Sequence, residues 1–237
     1  MGNRERWLYQ KLKEKCLSDF EKRAKYYEDY ATDDEDREEI RKVTTCATKF
    51  LDDYAKMSAG AMDDYELNKF YKKTVEMLKT AIKTKEEQYE IAFDRLKEIK
   101  EELEEQKELY CDEDSTFYDE HLCKVTLERL DNVESFKRQL ERAKAEDIPS
   151  MEARLKVCEV AKDRKEKAIC IDGVANMVHT RGAILPLMCG APLSEFIDEA
   201  VFGEGVEGYE RPVEVVAVDM AKDVMDTLTC IRNFRPE

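Results

Sequence analysis

Glycine and proline are the scarce residues of this chain, eight and five in 237, and between Asn3 and Ile148 the only one of either is Gly60. Both interrupt helices, glycine through its backbone entropy and proline through its missing N–H. Their absence argues against a turn-rich α/β enzyme and for a long helical body. Histidine is scarcer still. His121 and His179 are the only imidazoles, and none of the eight cysteines forms a C-x-x-C pair, so the usual zinc patterns are missing. No stretch of about 18 apolar residues is present to span a bilayer, and the N-terminus lacks the apolar run of a signal peptide. Arg6 stands where a myristoylation pattern after Gly2 needs Ser or Thr. The cysteines lie mostly at semi-apolar helical positions, and the expectation is reduced thiols in a cytoplasmic protein.

Catalytic patterns are also missing. His179, beside Thr180 and Arg181, is a candidate base near Cys189, but nothing in the sequence positions it, and a packed or surface histidine is the simpler reading. Gly173, Gly182 and Gly190 do not make a phosphate loop. The acidic runs Asp33–Asp36 and Asp112–Asp114 lack the ligand spacing and central glycine of an EF-hand. The expectation is a non-enzyme without metal or cofactor.

What the chain has in abundance is charge: 40% of residues, with a net of −15. Affinity for phosphate backbones comes from Lys and Arg, so the net charge argues against a general nucleic-acid binder, and no nucleic-acid partner is expected. The charge is polarised along the chain. Asn3–Cys16 sums to +3, Ser135–Cys170 again to +3, and Glu98–Glu120 to −9.

Apolar residues at three- and four-residue steps give an all-α reading. Trp7, Leu8, Leu12, Cys16 and Phe20 start a first helix over Arg4–Met57, which the acidic run Thr32–Asp36 interrupts or recaps. Ile40, Val43, Ala47, Phe50, Leu51 and Tyr54 resume its stripe. MSAGAMDD, Met57–Asp64, is a turn. Tyr65–Ala145 has no glycine or proline and predicts one very long helix, or two joined at Cys111–Thr116, with Tyr89, Ala92, Leu96, Ile99 and Leu103 at coiled-coil spacing. Leu127, Leu130, Val133, Phe136, Leu140 and Ala143 carry the stripe to a second turn at Glu146–Ser150, where Pro149 suits the first turn of a new helix. Beyond Cys170 the chain is apolar and broken, with a turn-like GEGVEGYERP before a last helix, or a short strand and helix.

Two basic clusters are candidate contact sites. On a helical wheel Lys137 and Lys144 nearly coincide, while Arg138 and Arg142 point away from Phe136, Leu140 and Ala143. Arg154 shares a face with Lys165 beyond the Pro149 turn. Such a hairpin tip suits an anionic surface, although charged helix faces ordinarily serve solubility and intrahelical pairing. At the N-terminus, Trp7 and Leu8 suit a lipid interface while Arg4, Arg6 and Lys11 hold head groups. Packing of this helix onto the body is the alternative.

The run LERLDNVESFKRQLERAKAEDIPSMEARLKVCEVAKDRKEKA, Leu127–Ala168, resembles the second-helix end, polar tip and third-helix start of BAR domains, most of all the N-BAR modules of the endophilin and amphiphysin kind. EEQYEIAFDRLKEIKEELEEQKELY is similar to the body of the family's second helix, and Arg4–Lys15 sits where its amphipathic N-terminal helix would. The resemblance covers about Arg4–Ile171. It implies an antiparallel homodimer shaped as a crescent, associated peripherally with anionic phospholipid membrane in the cytoplasm, sensing or generating curvature in membrane trafficking such as endocytosis. Lys137, Arg138, Arg142, Lys144, Arg154 and Lys156 would then be tip residues. The chain departs from the family where Gly173, Gly182 and Pro186 cut the third helix, and in its net charge. The expected organisation is a BAR-like helical coiled-coil bundle over 1–171 and an irregular segment over 172–237, packed on the body or forming a tail. The alternative is a cytosolic coiled-coil scaffold that binds proteins rather than lipid.

Overall fold

The structure, a computed structural model, describes residues 2–181, 183–191, 201–202 and 212–236, without side chains at 212–215. All regular structure among them is helical: α1 (Asn3–Leu12), a π-helical turn (Lys13–Leu17), α2 (Ser18–Tyr27), a 3-10 turn (Glu28–Tyr30), α3 (Asp34–Ser58), α4 (Asp64–Cys111), α5 (Glu120–Glu159), α6 (Arg164–Thr180), α7 (Ile184–Met188) and α8 (Pro212–Asn233). The all-α class holds. Gly182 and most of the turn expected over 203–212 lie outside the described residues.

Aspartate opens four of these helices. Asp33 accepts from the Asp36 N–H at 2.8 Å, Asp63 from Glu66 at 2.7 Å, Asp119 from Leu122 at 2.9 Å and Asp163 from Glu166 at 2.8 Å. Each satisfies one amide that the first helical turn leaves without a partner. Glu66 and Glu166 answer back to the Asp63 and Asp163 amides, closing two capping boxes. At the other end of α3, Gly60 takes φ +71°, its amide bonds to Met57 and that of Ala61 to Lys56. This is a Schellman close, and it needs a residue without a Cβ at the left-handed position.

The chain forms two units. The first comprises Met1–Lys85, Ser150–Ser194 and Glu210–Glu237. In its core Ile40, Ala47, Phe50 and Leu51 of α3 join Leu78 of α4, Met151 and Cys158 of α5, Ile171 and Val174 of α6, and Met220, Val224 and Leu228 of α8. α8 packs on α2, α3, α6 and α7. The π turn carries one residue more than a regular helical turn, and the consecutive Cys16 and Leu17 within it are both buried. The second unit comprises Glu86–Pro149 and Glu195–Tyr209. There Ala92, Leu96, Ile99 and Leu103 of α4 pack with Val133 of α5 and with Val201. Tyr89 bonds Asp147, and Lys100 pairs with Glu134 at 2.7 Å, so the two helical segments run in opposite directions.

Four disulfides correct the expectation of reduced thiols: Cys16–Cys230, Cys46–Cys189, Cys111–Cys123 and Cys158–Cys170, which leave no cysteine free. Two bridges join residues far apart in the chain, and two close segments of equal spacing, 12 residues each.

The acidic run interrupts and recaps the first helix as expected: Ala31–Asp33 precedes α3, and Asp33 caps it. Two further expectations change. The turn at Glu146–Ser150 is absent, since α5 runs through Pro149 to Glu159. Pro149 removes one backbone hydrogen bond, but Met151 and Cys158 after it are buried in the core of the first unit and hold that part of the helix. The reversal comes instead at Val160–Asp163, where the Asp163–Glu166 box starts α6. Finally, the domain boundary expected at 171 falls inside α6, whose Cys170, Ile171 and Val174 are fully buried. Apart from Val201 and Phe202, which belong to the second unit, the described part of 172–237 is thus a helical part of the first unit, with no strand.

Gly173 does not break α6. A methyl group there would overlap the Arg154 guanidinium, whose Nε is buried without a hydrogen-bond partner. Gly173→Ala is therefore expected to lower stability by about 1 kcal/mol through displacement of Arg154. In an Arg154→Ala background the sign reverses, because alanine in a helix interior gains about 1 kcal/mol over glycine. Denaturant unfolding of the four proteins checks the crossing.

Candidate interaction surfaces

The basic residues singled out in the sequence divide between the two units. In the first, Arg4 and Arg6 are exposed and Trp7 keeps 46% of its surface, but Leu8 packs on the core and Lys11 pairs with Glu14 at 3.1 Å. Tyr9 fixes the helix by donating to Asp52 at 2.5 Å. Packing onto the body is thus what the apolar face of α1 does. Arg154 is half-buried against Gly173, and Lys156 is exposed on the same helix. In the second unit Lys137, Arg138 and Arg142 are exposed, and Lys144 pairs with Glu90 above the Phe93 ring. These residues share one continuous helix rather than a hairpin tip, so the structure withdraws the geometry that made them a tip cluster.

His179 and Cys189 do not meet as base and nucleophile. His179 Nε2 lies 2.8 Å from Thr229 Oγ1, between α6 and α8, and Cys189 is bonded to Cys46. Among the described residues no cluster of three or more His, Cys, Asp or Glu could hold a metal ion, and no helix is long and apolar enough to cross a membrane.

Two surfaces of the second unit leave apolar groups open to solvent. One is the loop between α4 and α5, closed by Cys111–Cys123. Asp112 accepts from the Asp114 amide at 3.0 Å, Ser115 Oγ from the Phe117 amide at 3.1 Å, and the Tyr110 carbonyl from the Asp119 amide at 3.1 Å. The backbone is thereby fixed from within, and the two aromatics it carries are left outside: Phe117 is 64% exposed and Tyr118 45%. Leu109 and Leu122 flank them, also exposed. Six acids and no Lys or Arg fall between Glu108 and Glu120. The other surface is a groove of about 830 Å³ along α4 and α5, with an apolar floor and lysines on its rim. The loop was visible in the sequence as an aromatic pair between two cysteines in a polar run. The groove needed both helices to be placed.

No family model, curated protein or solved structure matches the chain.

Proposed function

We propose that the chain is a disulfide-held helical binding protein of an oxidising compartment, and that it recognises another protein rather than lipid. The observation that carries this reading is the disulfide-closed loop that presents Phe117 and Tyr118 to solvent. Aromatic side chains dominate the energetics of protein contacts, and a loop fixed in advance loses little entropy on binding. The six acids around the pair suit a cationic partner surface and oppose an anionic membrane. Four disulfides persist where thiols are not kept reduced, which supports a secreted or luminal setting over the cytoplasm. The BAR-like membrane reading loses the tip on which it rested, although the exposed Arg4, Arg6 and Trp7 keep its N-terminal part testable.

A photo-crosslinking residue placed at Phe117, with one at the exposed Val160 as control, identifies the partner. Binding of that purified protein to the Phe117→Ala/Tyr118→Ala variant is expected to weaken about 30-fold. Pelleting with anionic vesicles that depends on Arg4, Arg6 and Trp7, with no protein crosslinked at Phe117, would overturn the reading. Light scattering adds a second arm, because the crescent requires a homodimer and the loop contact does not.

A further inference from the structure

The groove of the second unit rests on a different observation from the loop. Phe93, Ala145 and Pro149 give it apolar surface over the buried Leu96, Val133 and Ile148, and Lys97, Lys100, Lys137 and Lys144 stand around it, opposed by Asp94, Glu134 and Glu141. Its volume of about 830 Å³ falls within the range of small-molecule sites. Three of the lysines are engaged: Lys100 with Glu134 at 2.7 Å, Lys144 with Glu90, and Lys97 with Glu101 at 4.0 Å. Lys137 is not. Its helical neighbour at i−3, Glu134, is already taken by Lys100, which holds that carboxyl below the usual carboxylate range. Glu141, at i+4, makes no bond to it. An exposed ammonium without a fixed partner therefore stands beside an apolar floor, in a protein whose net charge is −15.

We propose that this groove binds a single-chain anionic amphiphile, with the alkyl chain along Phe93, Ala145 and Pro149 and the head group on Lys137. The apolar floor supplies affinity in proportion to the methylenes it covers, and the free ammonium sets the orientation.

Laurate, used below its micelle concentration, tests the site by isothermal titration with the whole disulfide-bonded chain. One molecule per chain is expected. Octanoate should bind on the order of 100-fold more weakly, from four fewer buried methylenes. Lys137→Glu should weaken laurate at least about fivefold, as expected for reversing an exposed charge, with dodecanol weak and insensitive to that change. Dodecyl phosphate binding as well as laurate would assign recognition to charge, and a preference for laurate would assign it to the carboxylate. Either result supports the site. Ala145→Phe fills the groove from an exposed position and should abolish binding, with circular dichroism confirming the fold. The proposal falls if laurate does not bind at micromolar concentration, or if Lys137→Glu and Ala145→Phe both leave binding unchanged. Phe117→Ala/Tyr118→Ala should not affect it, which separates this site from the loop.

Discussion

Replacing Cys16 and Cys230 with alanine is expected to lower the stability of the chain by about 4 kcal/mol. The bridge joins residues 214 apart, but its effect is not that of a free loop of that length. While Cys46–Cys189 is intact, the chain between the two bridges closes a ring of roughly 70 residues, and loop entropy of the unfolded chain for that ring is worth about 4 kcal/mol. Removing Cys46–Cys189 first should cost the same, because the same ring is opened. Whichever bridge goes second then opens a longer loop and should cost about 5 kcal/mol, so the double loss exceeds twice the single one. The 12-residue loops at Cys111–Cys123 and Cys158–Cys170 should each contribute about 3 kcal/mol. Guanidinium unfolding followed by circular dichroism, without reductant, checks the order. The slope against denaturant should rise with each bridge removed, as the unfolded chain expands. A loss under about 1 kcal/mol for Cys16–Cys230 would show that this bridge does not restrict the unfolded chain as the entropic account requires.

That result bears on what the sequence could and could not disclose. Local patterns were legible. Ile40, Val43, Ala47, Phe50, Leu51 and Tyr54 are all buried, as are Tyr89, Ala92, Leu96, Ile99 and Leu103, because a helix stripe is set by residues three and four apart. The second-arm stripe was less faithful: Val133 is buried while Leu127 is 43% exposed, since only a neighbouring element decides which part of a stripe is covered. The Pro149 turn was read from the wrong signal. Proline is tolerated where packing on both sides holds the helix, whereas D-x-x-E at Asp163–Glu166 marked the true helix start with two hydrogen bonds. The disulfides leave no C-x-x-C sign, because that spacing marks metal and redox motifs. The even count of eight and the repeated 12-residue spacing were the available signs, while the pairing of Cys16 with Cys230 is a property of the tertiary fold. The same non-locality hid the groove, whose two walls come from helices with opposite chain direction.

Asp223 should be the most sensitive polar position of the first unit. Its side chain on α8 is buried and accepts from the Tyr27 hydroxyl and the Arg23 guanidinium of α2. Asp223→Ala removes the acceptor from a buried phenol, and a hydrogen bond to a charged group is worth about 1.5–3 kcal/mol. We expect a loss at the upper end of that range. Tyr27→Phe leaves Asp223 with Arg23 and should cost about 2 kcal/mol. The double variant should cost little more than Asp223→Ala alone, because both changes break one bond. Arg23 lies largely in solvent, and its replacement by Met should be nearly silent. The pair also sets a pH dependence. Burial first, and then the bond to Asp223, push the Tyr27 phenol up from its ordinary value. A group whose pKa is raised by folding contributes stability that is complete below its unfolded pKa, about 10 for tyrosine, and is lost as pH rises beyond it. Tyr9 and Tyr54 shift the same way, each by burial and then by a carboxylate partner, Asp52 and Asp172. Unfolding in urea should therefore require less denaturant at pH 11 than at pH 8, with a smaller difference in Tyr27→Phe. An equal difference in both proteins would remove Tyr27 from the alkaline response and leave Tyr9 and Tyr54 as its source.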